Sequence, residues 1–299
     1  MGAARRPAGA DARSRQTMMR ANPVLSDKNF QEKAGSAGWV APEQGAVDTQ
    51  TAAMVRPPQT TGRTMTIGGS LSATGVLIVL LLISAAFGWS QVDQSFETIT
   101  NPNGTVTVVN NSTFPGWIWI GAIVGLVLGL VTAFAPKLAR FTAPLYALGY
   151  GMVLGAISAF YNGMWNGIVA QAVLVTLGVI VVMFLLYAFR IIKVTPRLVI
   201  GVIAATGGVF LMYMVAWIGS LFGADFYFWD NPSPLGIGVS VLICGIAAFN
   251  LLLDFDFIER ASKEGYPSYM EWYAAYGLTV TIIWLYINVL RLLALLNQR

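Results

Sequence analysis

Seven apolar stretches, each about as long as a bilayer is thick, decide what this chain can fold into. They run over 71–90, 117–135, 142–162, 167–189, 198–222, 235–256 and 273–295. Crossing a hydrocarbon core takes about 20 apolar residues in helical form. Lipid offers no partner to backbone N–H and C=O groups, so each run must satisfy them within itself, as a helix does. The expected fold is an all-α membrane protein: a seven-transmembrane-helix bundle over residues 67–299. Charge content agrees. Only 11% of the residues are charged, against about 25% in a soluble domain, too few to cover a water-facing surface.

Residues 1–66 are different: rich in Ala, Gly, Gln, Thr, Pro and Arg, with no sustained apolar period. They read as a disordered cytoplasmic tail. Up to position 63 the tail holds nine Lys/Arg against five acids, so it carries the whole formal charge of +4. It has no aromatic platform, which argues against a nucleic-acid partner and leaves membrane lipid as the expected neighbour.

Lys and Arg also set the orientation. The segments 91–116, 162–167 and 222–235 have none, whereas the alternate connections carry Lys137 and Arg140, then Arg190, Lys193 and Arg197, then Arg260 and Lys263. Positive charge marks the cytoplasmic side, so the N-terminus is expected there. An odd number of full spans puts the C-terminus outside, whereas Arg291 and Arg299 favour a partial or re-entrant last span. The 91–116 connection, with Asn103-Gly104 between β-branched runs, reads as a short hairpin outside the membrane.

Several chemistries are excluded. Without histidine the chain lacks the commonest general base and metal ligand, and Cys244 alone makes neither a disulfide nor a thiolate metal cluster. The last helix has no Lys for a retinal-type Schiff base, and no second membrane-depth Asp lies on another helix. No enzymatic activity, cofactor or certain metal site is expected. Small residues at spacing four, Gly121, Gly125 and Gly129, then Gly151, Gly155 and Ala159, read first as close packing between helices of one bundle.

The ionisable groups near membrane depth cluster at the end of the sixth run: Asn250, Asp254, Asp256 and Glu259, with Glu271 following. Asp256 and Glu259 stand four residues before Arg260 and Lys263, the spacing of helix-surface ion pairs. Asp254 has no cation three or four residues away and follows three leucines. A charge so placed is expensive, which makes Asp254 a gate, a cation-coordinating group, or a carboxylate held by a hydroxyl or Arg of another helix.

The run Phe249-Asn-Leu-Leu-Leu-Asp254-Phe-Asp-Phe-Ile258-Glu resembles the Bax inhibitor-1 family, in its bacterial branch. So do Tyr269-Met-Glu-Trp-Tyr-Ala-Ala-Tyr-Gly-Leu, Leu290-Arg-Leu-Leu293 and Leu154-Gly-Ala-Ile-Ser-Ala-Phe-Tyr161. Met19-Arg-Ala-Asn-Pro-Val-Leu25 resembles the opening of actinobacterial members and points to Met19 as a start. The resemblance implies six helices wrapped round the last, and a pH-sensitive calcium leak in the bacterial plasma membrane gated by two aspartates. Asp254 matches the first of that pair. The second has no match, because the corresponding region holds Thr279 and Thr281; Asp256 or Glu271 substitutes only if the fold brings it near Asp254. The family name also leaves a second reading: a non-conducting membrane protein that binds or regulates other membrane proteins. Expected partners are thus membrane lipids, calcium ions or other membrane proteins.

Overall fold

The computed structural model describes residues 63–92, 96–100, 106–110, 116–223 and 232–298. The disordered tail expected over 1–66 lies outside them except for its last four residues. Among the described residues there are seven α-helices: α1 (Ile67–Ser90), α2 (Trp117–Phe134), α3 (Ala139–Met164), α4 (Ile168–Ala188), α5 (Pro196–Leu221), α6 (Pro234–Lys263) and α7 (Met270–Asn297). Between α1 and α2, strands β1 (Phe96–Thr100) and β2 (Val106–Asn110) pair antiparallel, Phe96 opposite Asn110 and Thr100 opposite Val106. This is the hairpin that the Asn-Gly and β-branched pattern announces.

Helix starts follow local chemistry. The Thr195 side chain accepts a hydrogen bond from the N–H of Leu198, and that of Ser233 from the N–H of Gly236. In both cases proline follows at the first helical position, where its missing N–H costs nothing. Thr66 caps α1 in the same way, accepting from the N–H of Gly69. Six of the seven helices are long and apolar enough to cross a membrane. The shorter one, α2, rises about 27 Å over its 18 residues.

Burial sorts the helices. On α7, Ala274, Ala275, Leu278, Ile283, Leu285, Val289 and Leu290 are all buried, and no residue from 271 to 295 is exposed. A helix with no exposed face is a central one. It packs against α1, α2, α3, α4 and α6. At the other extreme, only Val202 and Val209 of α5 are buried, while Ile200, Phe210, Leu211 and Trp217 are exposed. Helix α5 is held by α6 and by Tyr213, whose hydroxyl donates to Asn288 on α7 at 3.3 Å. Arg291 reaches the same Tyr213 hydroxyl at 3.4 Å. Arg291 thus has a partner on α5. Helix α7 also has 28 residues, more than a partial span requires.

The glycine rows act within the bundle. A Cβ on Gly155 would lie 1.8 Å from the Ala85 carbonyl oxygen, and one on Gly151 would lie 2.0 Å from Ser84 Oγ. Helices α1 and α3 thus meet backbone to backbone. Ser84 secures the contact by donating to the Ala147 carbonyl at 3.2 Å.

Candidate functional site

The end of α6 and the first half of α7 hold the residues singled out by chemistry, and the fold sends them in different directions. Asn250 donates to Thr206 Oγ1 of α5 at 2.8 Å and to the Ile246 carbonyl at 2.9 Å. It shares a helix face with Asp254 but is occupied in fastening α5. Asp256 forms an ion pair with Arg260 at 2.7 Å, one turn on, with the Arg side chain half exposed. Glu259 pairs with Lys263 and also accepts from Tyr187 of α4. The i,i+4 reading of both acids holds, and Tyr187 adds a link from α4 to α6 that the charge spacing does not reveal.

Glu271 also has a structural partner. Its Oε1 accepts from both the N–H and the hydroxyl of Thr66, each at 2.9 Å. The carboxylate rests directly on Gly69, where a Cβ would come within 2.0 Å of it. A negative group at a helix N-terminus bonds otherwise orphaned N–H groups and is favoured by the helix dipole. Six residues of α7 separate Glu271 from Gly277, a rise of about 9 Å, and Asp254 lies at the Gly277 level. The fold thus does not bring Glu271 to Asp254. Its isolation from local cations and the N-cap signature of Thr66 before an apolar run were the signals for this contact.

Around it the chain is strapped down. Met65 donates to the Tyr266 carbonyl at 2.7 Å, and Ser268 donates to the Arg63 carbonyl at 3.0 Å. Met65 is 1% exposed. The membrane unit therefore begins no later than Arg63, four residues before the boundary expected from hydropathy.

Asp254 remains. Its Oδ1 lies 3.8 Å from where a Cβ on Gly277 would stand, so its side chain points at α7. The Thr281 hydroxyl of α7 is its hydrogen-bonding neighbour. That same hydroxyl reaches the Gly277 carbonyl at 3.2 Å. A hydroxyl has one proton to give, so it serves one of these two acceptors at a time. Asp254 Oδ2 is buried with no hydrogen-bond partner. Thr281 is thus the α7 side chain that meets the Asp254 carboxyl group. Among the described residues no group of three or more His, Cys, Asp or Glu gathers to hold a metal ion.

Lipid-length apolar helices around a buried central helix, with one under-bonded carboxyl group facing it, define an integral membrane protein of the polytopic helical class. The chain belongs to the Bax inhibitor 1 like family, whose profile matches residues 22–298. No curated protein and no solved structure matches it.

Proposed function

We propose that this protein is a passive cation pathway, calcium being the favoured ion, with a pH-sensitive gate at Asp254. The observation that carries the reading is the Asp254 carboxyl group, set at membrane depth against the central helix with one oxygen buried and unpartnered. An ionisable group left under-bonded in that environment is retained at a cost, and ion or proton pathways are where such groups occur. Its neighbours are the Thr281 hydroxyl and the Gly277 carbonyl. An all-oxygen environment suits a hard cation such as calcium. One carboxylate with neutral oxygens makes a passing point rather than a storage site. Asp256, Asn250 and Glu271 support the gate from outside it, through the end of α6, the seat of α5 and the anchoring of α1.

In this reading α2 crosses as well, giving seven spans in the plasma membrane of a bacterium, with the N-terminus cytoplasmic. The protein performs no enzymatic step. The test is calcium flux into liposomes holding the purified full chain, measured across a pH series. Wild type is expected to leak with a rate that changes with pH, and Asp254→Asn to change the leak and flatten that dependence. Asp256→Asn, which breaks an interfacial ion pair, is expected to do less. A wild type that does not leak overturns conduction and favours the non-conducting regulatory partner. A leaking wild type with an unaltered Asp254→Asn moves the gate elsewhere.

A further inference from the structure

Helix α4 ends in an unusual way. Arg190 follows it with φ of 54°, the left-handed region, and is the non-glycine residue with positive φ among the described residues. The turn is a helix-stop motif: Arg190 N–H bonds the Tyr187 carbonyl at 2.9 Å, and Ile191 N–H bonds the Leu186 carbonyl at 3.0 Å. Glycine usually fills this position, because a Cβ there is sterically unfavourable. An Arg held in that conformation keeps its side chain at a backbone cost, and such strain points to a use for the side chain.

The use lies beside it. Between the end of α4, the 190–194 segment and the end of α6 is a cavity of about 570 Å³, with Arg190, Lys193, Arg260 and Lys263 facing Asp256 and Glu259. Both acids are already engaged, Asp256 by Arg260 and Glu259 by Lys263 and Tyr187. Arg190 also acts on Glu259 through its charge, but four cations face two acids, so the cavity carries two positive charges in excess. Its lining includes the apolar Ala188, Ile192 and Val194, and Phe189 and Ile191, neighbours in the chain that do not line it, are 71% and 67% exposed. Exposed aromatic and aliphatic side chains next to excess positive charge suit the boundary between acyl chains and headgroups.

We propose that this cavity binds the phosphate of an anionic lipid headgroup, held by Arg190 and Lys193, in the leaflet that the basic connections face. Arg presents a fork that matches phosphate oxygens, and Lys adds a point charge. Basic pockets between membrane helices recognise anionic headgroups in this way. The exposed Phe189 and Ile191 in the adjoining segment argue for a lipid over a soluble phosphate, because acyl chains would cover them. The inference does not depend on conduction; it needs only α4 and α6 in a bilayer.

The experiment uses the full chain in nanodiscs of phosphatidylcholine, alone or mixed with phosphatidylglycerol, and follows thermal unfolding. Phosphatidylglycerol is expected to raise the wild-type Tm by about 5 °C. Arg190→Gly with Lys193→Gln is expected to unfold no lower than wild type in phosphatidylcholine, since glycine relieves the left-handed turn, and to lose the phosphatidylglycerol increment. Lys193→Gln alone, which leaves the backbone untouched, is expected to lose part of it. An increment equal in wild type and variants, or none in wild type, overturns the proposal. Inorganic phosphate added to phosphatidylcholine discs separates the sources: no effect supports the lipid, and the full increment overturns it in favour of a soluble phosphate.

Discussion

Thr281 sits opposite Asp254, and its hydroxyl sets what the carboxyl group can do. A hydroxyl can bond the carboxyl group but cannot carry charge, so the site has one ionisable member. Thr281→Val keeps the shape and removes that bond. It is expected to destabilise the wild type by about 1–3 kcal/mol, and by clearly less in an Asp254→Leu background, because there is then no carboxyl group left to orphan. Equal effects in both backgrounds would show that the two residues do not interact. Glu271 answers to the same physics with a different outcome. Glu271→Ala leaves the Thr66 N–H and hydroxyl without their acceptor and is expected to cost about 2–3 kcal/mol, read as a lower unfolding temperature. Glu271→Gln keeps an acceptor oxygen and is expected to cost less. Sequence alone marks both carboxyl groups as isolated from local cations. It cannot say that one meets a helix N-terminus and the other a hydroxyl, because those partners lie 205 and 27 positions away in the chain.

Among the elements, the contact of α1 with α3 is set by glycine. Gly155→Ala drives a methyl group into the Ala85 carbonyl and is expected to cost about 2 kcal/mol or more, since two backbones must separate. Gly178→Ala on α4 meets nothing within 4 Å and is expected to be neutral or to stabilise by up to about 1 kcal/mol through helix propensity. Comparable losses in both would mean that the close approach is not what the glycines serve. The spacing of small residues was legible in the sequence, as was its use in packing. Which helix each row meets was not, since four-residue spacing describes one helix's face and not its neighbour. The strap ahead of α1 gives a second test. Deleting residues 1–60 is expected to leave the unfolding temperature of the detergent-solubilised protein unchanged, whereas deleting 1–66 removes buried Met65 and the Thr66 cap and is expected to lower it by several degrees. The hydropathy boundary missed this strap because Arg63 to Thr66 is not an apolar run; it is held by backbone bonds to the 266–268 turn and by one buried methionine.

For the molecule as a whole, orientation is the open quantity that charge alone predicts. In a Cys244→Ala background, a membrane-impermeant thiol reagent applied from outside is expected to label a cysteine at position 95 and not one at 262; the reverse pattern overturns a cytoplasmic N-terminus. The sequence by itself determined the class of protein and the position of its helices, because lipid solvation acts on each segment separately: about 20 apolar residues in a row must become a helix wherever the rest of the chain lies. It also determined the Asp256–Arg260 and Glu259–Lys263 pairs, whose partners stand one helical turn apart. The family resemblance in the sequence implied that the last helix is the centre; only the tertiary structure decided that Arg291 is taken up by Tyr213, and that Glu271 anchors α1 while Asp254 faces Thr281. These choices depend on which faces of apolar helices meet. In lipid, one apolar face is nearly as good as another, so the pairing rests on small residues and a few cross-helix hydrogen bonds that local pattern does not encode.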